Sequence, residues 1–346
     1  MGEILKKSKT KILVGILVLS VSLLITFVLS AIYWPQNNKH SYSKIKIETG
    51  SSLNTITQIL YSEGIISNKN MFKIAVKILG KEKKIPVGKF SLVNASSNYE
   101  IIDQLVHGVP EIIKVRILEG WDLKRIAKYL ESKMEFDSTN FITLAYNKEI
   151  LNKYNINAES AEGYLYPDTY FFFNGDDPKH VLQHLISKHQ NLWTPALKRR
   201  AELMNMTKHE VVTLASIIEG EAIYDSERAK ISGVYHNRLK KGMKLQADPT
   251  IQYIIPDSPR RLLHRDLKIE SPYNTYLNYG LPPGPINSPG ESSIIAALYP
   301  EKNDFIFFVA TGGGYHTFTT NERDHNKARK KLQRMRRELR KKRKNL

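Results

Sequence analysis

The stretch "ILVGILVLSVSLLITFVLSAIYW", residues 12–34, contains no charged side chain. An apolar helix of about 20 residues crosses a bilayer core of about 30 Å, so a run of this length reads as a membrane span. It is too long for the apolar segment of a signal peptide, and no small-x-small cleavage site follows it. It is therefore expected to be an uncleaved, single-pass transmembrane helix. Lys6, Lys7, Lys9 and Lys11 precede it, while Lys39, Lys44 and Lys46 follow at a distance, which favours an N-terminus inside the cell. Tyr33 and Trp34 fall at the far end, where aromatic rings prefer the interface. Every later apolar run is short or interrupted. The expected address is the cytoplasmic membrane, with the rest of the 346-residue chain on the periplasmic or outer side.

The net charge of +18 is concentrated. Residues 327–346 hold twelve Lys/Arg and a single Glu. A block of like charge this dense is a solvated helix or tail, suited to anionic lipid, an anionic polymer or nucleic acid. A body outside the cytoplasm argues against nucleic acid, and none is expected as a partner. The chain has no cysteine, which excludes disulfides, thiolate metal sites and a cysteine nucleophile.

Two segments repeat at a constant offset of 70 residues. "IKIETGSSLNTITQILYSEG" (45–64) matches "VRILEGWDLKRIAKYLESK" (115–133) at Ile45/Val115, Ile47/Ile117, Gly50/Gly120, Leu53/Leu123, Ile56/Ile126 and Leu60/Leu130. Each alternates like a strand, turns at glycine, and then spaces its apolar residues three or four apart like a helix. A helix (69–79), a strand (88–93) and another helix (98–108) are expected between the copies. The pattern resembles the LysM module, a small fold that binds N-acetylated glycans. "EGYLYPDTYFF" (162–172) gathers aromatics around a Pro-Asp turn, which fits either a sugar-stacking groove or a core strand. Helices are expected at 178–190, 195–204 and 293–298, and a hairpin at 304–320. The Pro- and Gly-rich segment 271–293 is long for an idle loop.

"LASIIEGEA" (214–222) puts two acids at the end of an apolar run. Thr207 and Glu210 form a capping box that starts a helix. Val211, Leu214, Ala215 and Ile218 make its core stripe, and at about 100° per residue Glu219 and Glu221 flank that stripe on opposite edges. Burial against Val212 and Ala215, and the negative end of the helix dipole, favour a protonated Glu219, as a general acid requires. A helix-end glutamate bonded to a neighbouring loop is the plain alternative. Glycosidases commonly pair two carboxyls. Glu221 lies on the wrong edge to share a substrate with Glu219, and Asp248 in "LQADPT" is another candidate. His264, His316 and His325 lack a metal-ligand spacing, so no metal and no cofactor are expected.

"ASIIEGEA", "ERAKISGVYHNRL", "GMKLQADPT", "YNTY", "GLPPGPINSPG", "HTF" and "EGYLYPDTY" occur in an order and spacing that resemble the YceG-like endolytic murein transglycosylases (MltG family). The resemblance implies a membrane-anchored lyase that cuts nascent peptidoglycan glycan strands internally and so ends their elongation. It implies cleavage of the β-1,4 bond between N-acetylmuramic acid and N-acetylglucosamine, leaving 1,6-anhydro-N-acetylmuramic acid ends. The family's catalytic glutamate falls on Glu219, which acts as acid and then base, so that no second carboxylate is needed. Gln246, Asp248, Tyr273, Asn274 and Tyr276 are candidates for the facing wall, Glu221 for orienting the loop, and His316 for a place near the groove. Gly220 is expected to loosen the helix end. Expected partners are peptidoglycan, the cytoplasmic membrane and peptidoglycan synthases. A glycan-binding scaffold without activity is the competing reading.

The fold class expected is α+β: an N-terminal transmembrane helix, a LysM-like α+β subdomain and an α+β catalytic domain. The expected boundaries are 1–11 for the cytoplasmic terminus, 12–34 for the span, 35–43 for a linker, 44–160 for the LysM-like region, 161–326 for the catalytic domain and 327–346 for the basic tail.

Overall fold

A computed structural model describes residues 2–36, 42–48, 50–108, 111–134, 136–256 and 258–344. The chain is α+β and divides into two compact units. The first comprises Met1–Lys114 and Phe171–Asp177, the second Val115–Tyr170 and Pro178–Leu346.

The first unit opens with α1 (Gly2–Ile32). Its segment Lys11–Ile32 has a mean hydropathy of 3.0, long and apolar enough to cross a membrane, and its Leu, Ile and Val side chains are largely exposed. The strands β1 (Tyr42–Ile47) and β2 (Gly88–Val93) pair antiparallel, with Ile45 opposite Phe90. The helices α2 (Leu53–Ser62), α3 (Lys69–Ile78) and α4 (Asn98–His107) cover them. Ile45, Ile47, Phe90 and Leu92 bury against Ile56, Leu60, Phe72, Ile101 and Leu105. Each helix has a polar N-cap, from Ser52, Asn68 and Ser97 in turn, which satisfies an otherwise orphaned backbone N–H.

The expected linker at 35–43 is shorter in the structure. Pro35 bridges to Ser97, Gln36 is buried, and Tyr42 and Ser43 already belong to β1. Residues 37–41 lie outside those described. Gln36 is held because its amide is fully used: Nε2 donates to Asn98 Oδ1 at 2.6 Å, and Oε1 accepts from the Ser67 N–H at 2.7 Å. Asn98 Nδ2 donates in turn to the Ala31 carbonyl at 2.8 Å.

The chain changes unit along the paired strands β3 (Ile112–Arg116) and β4 (Thr169–Phe173). Along "EGYLYPDTYFF" the core-strand reading accounts for Tyr164, Leu165, Tyr170 and Phe172, which are buried, while Phe171 and Phe173 face outward. The second unit is built from α5 (Leu123–Met134), α6 (Ser138–Ala145), α7 (Lys148–Lys153), α8 (Pro178–Leu192), α9 (Pro195–Leu203), α10 (Lys208–Glu221), α11 (Asp225–Lys240), α12 (Asp248–Ile254) and α13 (Glu291–Leu298). A hairpin, β5 (Phe307–Ala310) with β6 (His316–Thr319), and α14 (Glu322–Lys344) complete it. The units divide at 114/115 and not at 160, so the second copy of the repeat joins the unit that contains Glu219.

The repeat is structural as well as sequential. Gly50 and Gly120 both sit in the left-handed region, at φ 82° and 75°. Ser52 caps α2 by accepting from the Thr55 N–H, and Asp122, 70 residues on, accepts from the Arg125 N–H at the start of α5.

α10 differs from its expected amphipathic form. All eight residues from Val211 to Ile218 are buried, including Thr213 and Ser216, so the helix is central and has no solvent face along this stretch. Its two hydroxyls are accommodated by donating back into the helix, Thr213 to the His209 carbonyl and Ser216 to the Thr213 carbonyl. α14 packs on the hairpin through buried Leu332 and through Met335, which reaches Gly312. Its basic residues at 329–331, 334, 336 and 337 are exposed. Of the basic tail, residues 345–346 lie outside those described.

Replacing Asn98 by Ala removes the 2.6 Å acceptor of Gln36 Nε2 and the side-chain donor to the Ala31 carbonyl, while the Ser67 bond to Gln36 Oε1 stays. An expected loss of about 1–3 kcal/mol is checked by denaturant unfolding of the full chain in detergent.

Candidate active site

The site is assembled at the C-terminal end of α10. The capping box that starts this helix is present: Thr207 Oγ1 accepts from the Glu210 N–H at 3.2 Å, and Glu210 Oε2 accepts from the Thr207 N–H at 2.7 Å. The helix runs through Gly220 to Glu221, so Gly220 does not break or loosen it. A Cβ on Gly220 would lie 2.6 Å from Pro249 Cβ. The absent side chain lets the first turn of α12 pack directly against α10.

Glu219 has 6% of its side chain exposed. Its Oε2 accepts from the Gly290 N–H at 3.0 Å and lies 3.1 Å from Arg228 Nη1. The plain alternative and the catalytic reading meet here, since the acid is both buried and bonded to a loop. The sequence offered Glu219 only desolvating neighbours. The structure adds an arginine and a backbone N–H, both within 3.1 Å of its Oε2. Arg228, on α11, is itself withdrawn from water. It is fixed by Asp225 at 2.7 Å from Nε and by Ser293 Oγ at 2.5 Å from Nη1.

Two loops close on this point. In the Pro-rich segment the Ile286 N–H donates to Ser216 Oγ at 3.0 Å, and Asn287 Nδ2 donates to the Ser216 carbonyl at 2.9 Å. The second repeat copy brings its turn alongside. The Gly120 N–H donates to the Ser288 carbonyl at 2.9 Å, and the Ser288 N–H returns a bond to the Trp121 carbonyl at 2.8 Å. Gly120 stands against Glu219 Cγ, and Glu119 lies over Gly290.

Glu221 occupies a separate cluster. Its Oε1 accepts from the Tyr235 hydroxyl at 3.0 Å, and its carboxylate accepts from the Asp248 N–H at the start of α12. Burial, and secondarily the charge of Asp248, pushes it up to about 7. Asp248 is exposed and accepts from the Tyr276 hydroxyl at 2.5 Å. The two acids of "EGE" thus serve different neighbourhoods, as the angular argument implied.

The other expected wall residues divide. Gln246 is exposed and holds φ at 47°, uncommon for a non-glycine, with its N–H fixed on the Thr275 carbonyl at 3.1 Å. Tyr273 is half-buried, with its ring 5.0 Å from Tyr253. Its hydroxyl lies beside Gly284, in a loop pinned by His209, whose ring bridges the Tyr164 hydroxyl (2.9 Å) and the Pro283 carbonyl (2.7 Å). Asn274 does not face a groove. It is fully buried, donating to the Leu267 and Ile269 carbonyls and accepting from the Tyr276 N–H, so its amide shapes the loop. Nor is His316 open to a groove. Its Nδ1 and backbone N–H both engage Glu227, at 2.9 and 3.0 Å, and its side chain is 9% exposed. The pair ties the hairpin to α11 one residue before Arg228.

Arg228, Gly290, Ser216 and Glu119 were not among the residues singled out from sequence. Asp225 and Arg228 stand three apart on a helix, a spacing that permits an ion pair. Nothing in the sequence connects either to Glu219.

Glu162 is a further buried acid. Both of its oxygens lie 3.1–3.2 Å from the Leu123 N–H, which caps α5 beside the 119–122 turn. Burial outweighs that bond and pushes its carboxyl up to about 8. A folded state that binds the proton more tightly than the unfolded chain loses stability as pH rises from about 4.5 through about 8. Glu162→Gln keeps a carbonyl acceptor for Leu123 and carries no charge. It is expected to flatten that part of the pH dependence and to raise the unfolding midpoint at pH 8, read by thermal melts across the range. For Gly220→Ala, the approach of Pro249 predicts an overpacking cost of about 1–3 kcal/mol, measurable by the same melts at fixed pH.

The sequence profile of the YceG-like family matches residues 45–331. A Bacillus subtilis (strain 168) protein named endolytic murein transglycosylase is 34% identical over 305 residues, covering 83% of this chain and 84% of that one. A Streptococcus pneumoniae (strain R6) protein of the same name is 26% identical over 337 residues; the match takes in 87% of this chain but spans 60% of the streptococcal one. A crystal structure of a YceG-like protein from Listeria monocytogenes is similar at 30% identity and a TM-score of 0.59, covering 83% of this chain and 98% of that one.

Proposed function

The chain belongs to the YceG-like family, and from that premise we propose that it is an endolytic murein transglycosylase, a lyase acting on peptidoglycan. The bond cut is the β-1,4 link between N-acetylmuramic acid and N-acetylglucosamine within a glycan strand, and the product ends in 1,6-anhydro-N-acetylmuramic acid. The observation that supports this best is a single glutamate, Glu219, nearly withdrawn from water where two helices and two loops meet, with one cation and one backbone N–H on its carboxylate.

The chemistry needs one group to act twice. Protonated Glu219 donates to the glycosidic oxygen as the C1–O bond breaks. The C6 hydroxyl of the same sugar attacks C1, and its proton passes to the Glu219 carboxylate. The anhydro ring closes, the proton is returned, and no water is consumed. Between these transfers Glu219 is an anion, and the Arg228 guanidinium and the Gly290 N–H stabilise it. The positive charge that develops at C1 is met by the substrate's own N-acetyl group and by the exposed polar groups Gln246 and Asp248. Glu221, Tyr235 and Tyr276 hold the start of α12 and so fix the position of Asp248.

α1 serves as the anchor, with its basic flank inside and both units outside. Each of the two strand–turn–helix copies, one in each unit, binds glycan, and peptidoglycan synthases supply it.

The test is to incubate the full chain, in detergent, with uncrosslinked glycan strands and to analyse strand ends by mass spectrometry. Internal cuts with anhydro ends are expected, reduced by at least about a hundredfold in Glu219→Gln. Reducing ends would make the enzyme a hydrolase and sink this reading.

A further inference from the structure

Three carboxylates surround one guanidinium. Asp225 Oδ1 lies 2.7 Å from Arg228 Nε, Glu219 Oε2 lies 3.1 Å from Nη1, and Glu119 Oε2 lies 4.0 Å from Nη2. With all three ionised, the cluster has two negative charges that no neighbour in it neutralises. Like charges this close favour retention of a proton, and the proton belongs to the cluster as a whole. Water relieves two of the three: the side chain of Asp225 is 78% exposed and that of Glu119 51%, against 6% for Glu219. When the cation turns elsewhere, the buried member keeps only the Gly290 N–H.

Glu119 is placed to receive that cation. Its carboxyl lies over Gly290, the residue whose N–H donates to Glu219. The two acids therefore flank one glycine and share one arginine. Glu119 is also held above the usual carboxylate range, by burial first and by the charge of Glu219 second. Beside Glu119 stands Tyr166, whose hydroxyl donates to Glu291 at 3.5 Å and which also feels the charge of Asp168, itself paired with Lys188 at 3.1 Å.

We propose that Glu119 is a positioning residue for proton transfer: it is the alternative partner of Arg228, so that the guanidinium pairs with Glu119 while Glu219 holds the proton destined for the glycosidic oxygen. When that proton leaves, Arg228 returns to the Glu219 carboxylate. When Glu219 takes up the C6 hydroxyl proton, Arg228 turns again to Glu119. The cluster loses one proton and regains one per cycle, and no further donor is needed. The inference rests on the transglycosylase reading above and adds to it a second acid that never contacts the reacting atoms.

The test compares wild type, Glu119→Gln and Glu119→Asp in the full chain on uncrosslinked glycan strands. Glu119→Gln is expected to lose at least about tenfold in kcat at pH 7, with KM little changed. A general acid works below its titration, and removing a neighbouring negative charge favours ionisation, so the alkaline limb of the pH profile moves to lower pH. Glu119→Asp keeps the charge and restores the limb. A merely structural role would lower activity without moving it.

A second readout needs no substrate. Coupling between two sites is reciprocal, so the carbon-13 carboxyl resonance of Glu119 should titrate at lower pH in Glu219→Gln than in wild type. An unmoved Glu119 titration, or a wild-type pH profile in Glu119→Gln, overturns the proposal. A shifted Glu119 titration in an enzyme that makes no anhydro ends would leave the shared arginine standing and remove the transglycosylase reading.

Discussion

The second unit is organised around an arginine removed from water. Taking a guanidinium out of solvent costs several kcal/mol unless its donors are met, and Arg228 meets them with groups from several segments. Asp225 comes from its own helix, Glu219 from the end of α10, and Ser293 from the first turn of α13. The charge thereby fixes the spacing of three helices at one point. The same point receives the Gly290 N–H, and Glu227, one residue before Arg228, holds the hairpin through His316. The cation and the residue before it thus tie α10, α13 and the hairpin to α11.

The arrangement separates the two acids that the sequence sets side by side. Glu219 faces a cation that can be shared, in a cluster open to solvent through Glu119 and Asp225. Glu221 faces a tyrosine hydroxyl and a backbone N–H, groups that hold its carboxyl in place without a cation. Gly220 between them is dictated by packing, because only a residue without a side chain lets Pro249 approach. One turn of helix thus presents an acid paired with a cation on one edge and an acid tied to a tyrosine hydroxyl on the other.

Much of the fold was legible because it follows from local patterns. The apolar run, the capping box at Thr207, the strand–turn–helix repeat and the hairpin near the C-terminus all lie where residue spacing puts them. α10 was legible as a helix, but its burial on every side was not, because Thr213 and Ser216 look like solvent-facing residues until their internal hydrogen bonds are known. The site was legible only in its acid. Arg228 and Gly290 reach Glu219 from 9 and 71 positions away, and Glu119 from 100 positions the other way. A side chain's role there is set by what packs beside it, which no periodicity encodes. Asn274 and His316 illustrate the converse, polar residues in a motif whose hydrogen-bonding capacity is consumed by the fold itself.

The repeat gives this distinction its clearest form. Both copies have a buried strand end, a left-handed glycine and a polar cap, Ser52 in one and Asp122 in the other, so the backbone demands of the unit are met identically. What differs is the turn's exposed sequence and its surroundings. A Cβ on Gly50 would meet nothing within 4 Å, whereas Gly120 stands against Glu219, with Glu119 before it and Trp121 after it. A turn whose shape is guaranteed by glycine and cap leaves its flanking side chains free to vary without cost to the fold. In the second copy those free positions supply a carboxylate to the buried arginine and a backbone carbonyl to the Pro-rich loop. A rigid unit used twice can therefore stand clear of other groups in one place and border the buried acid and its arginine in the other.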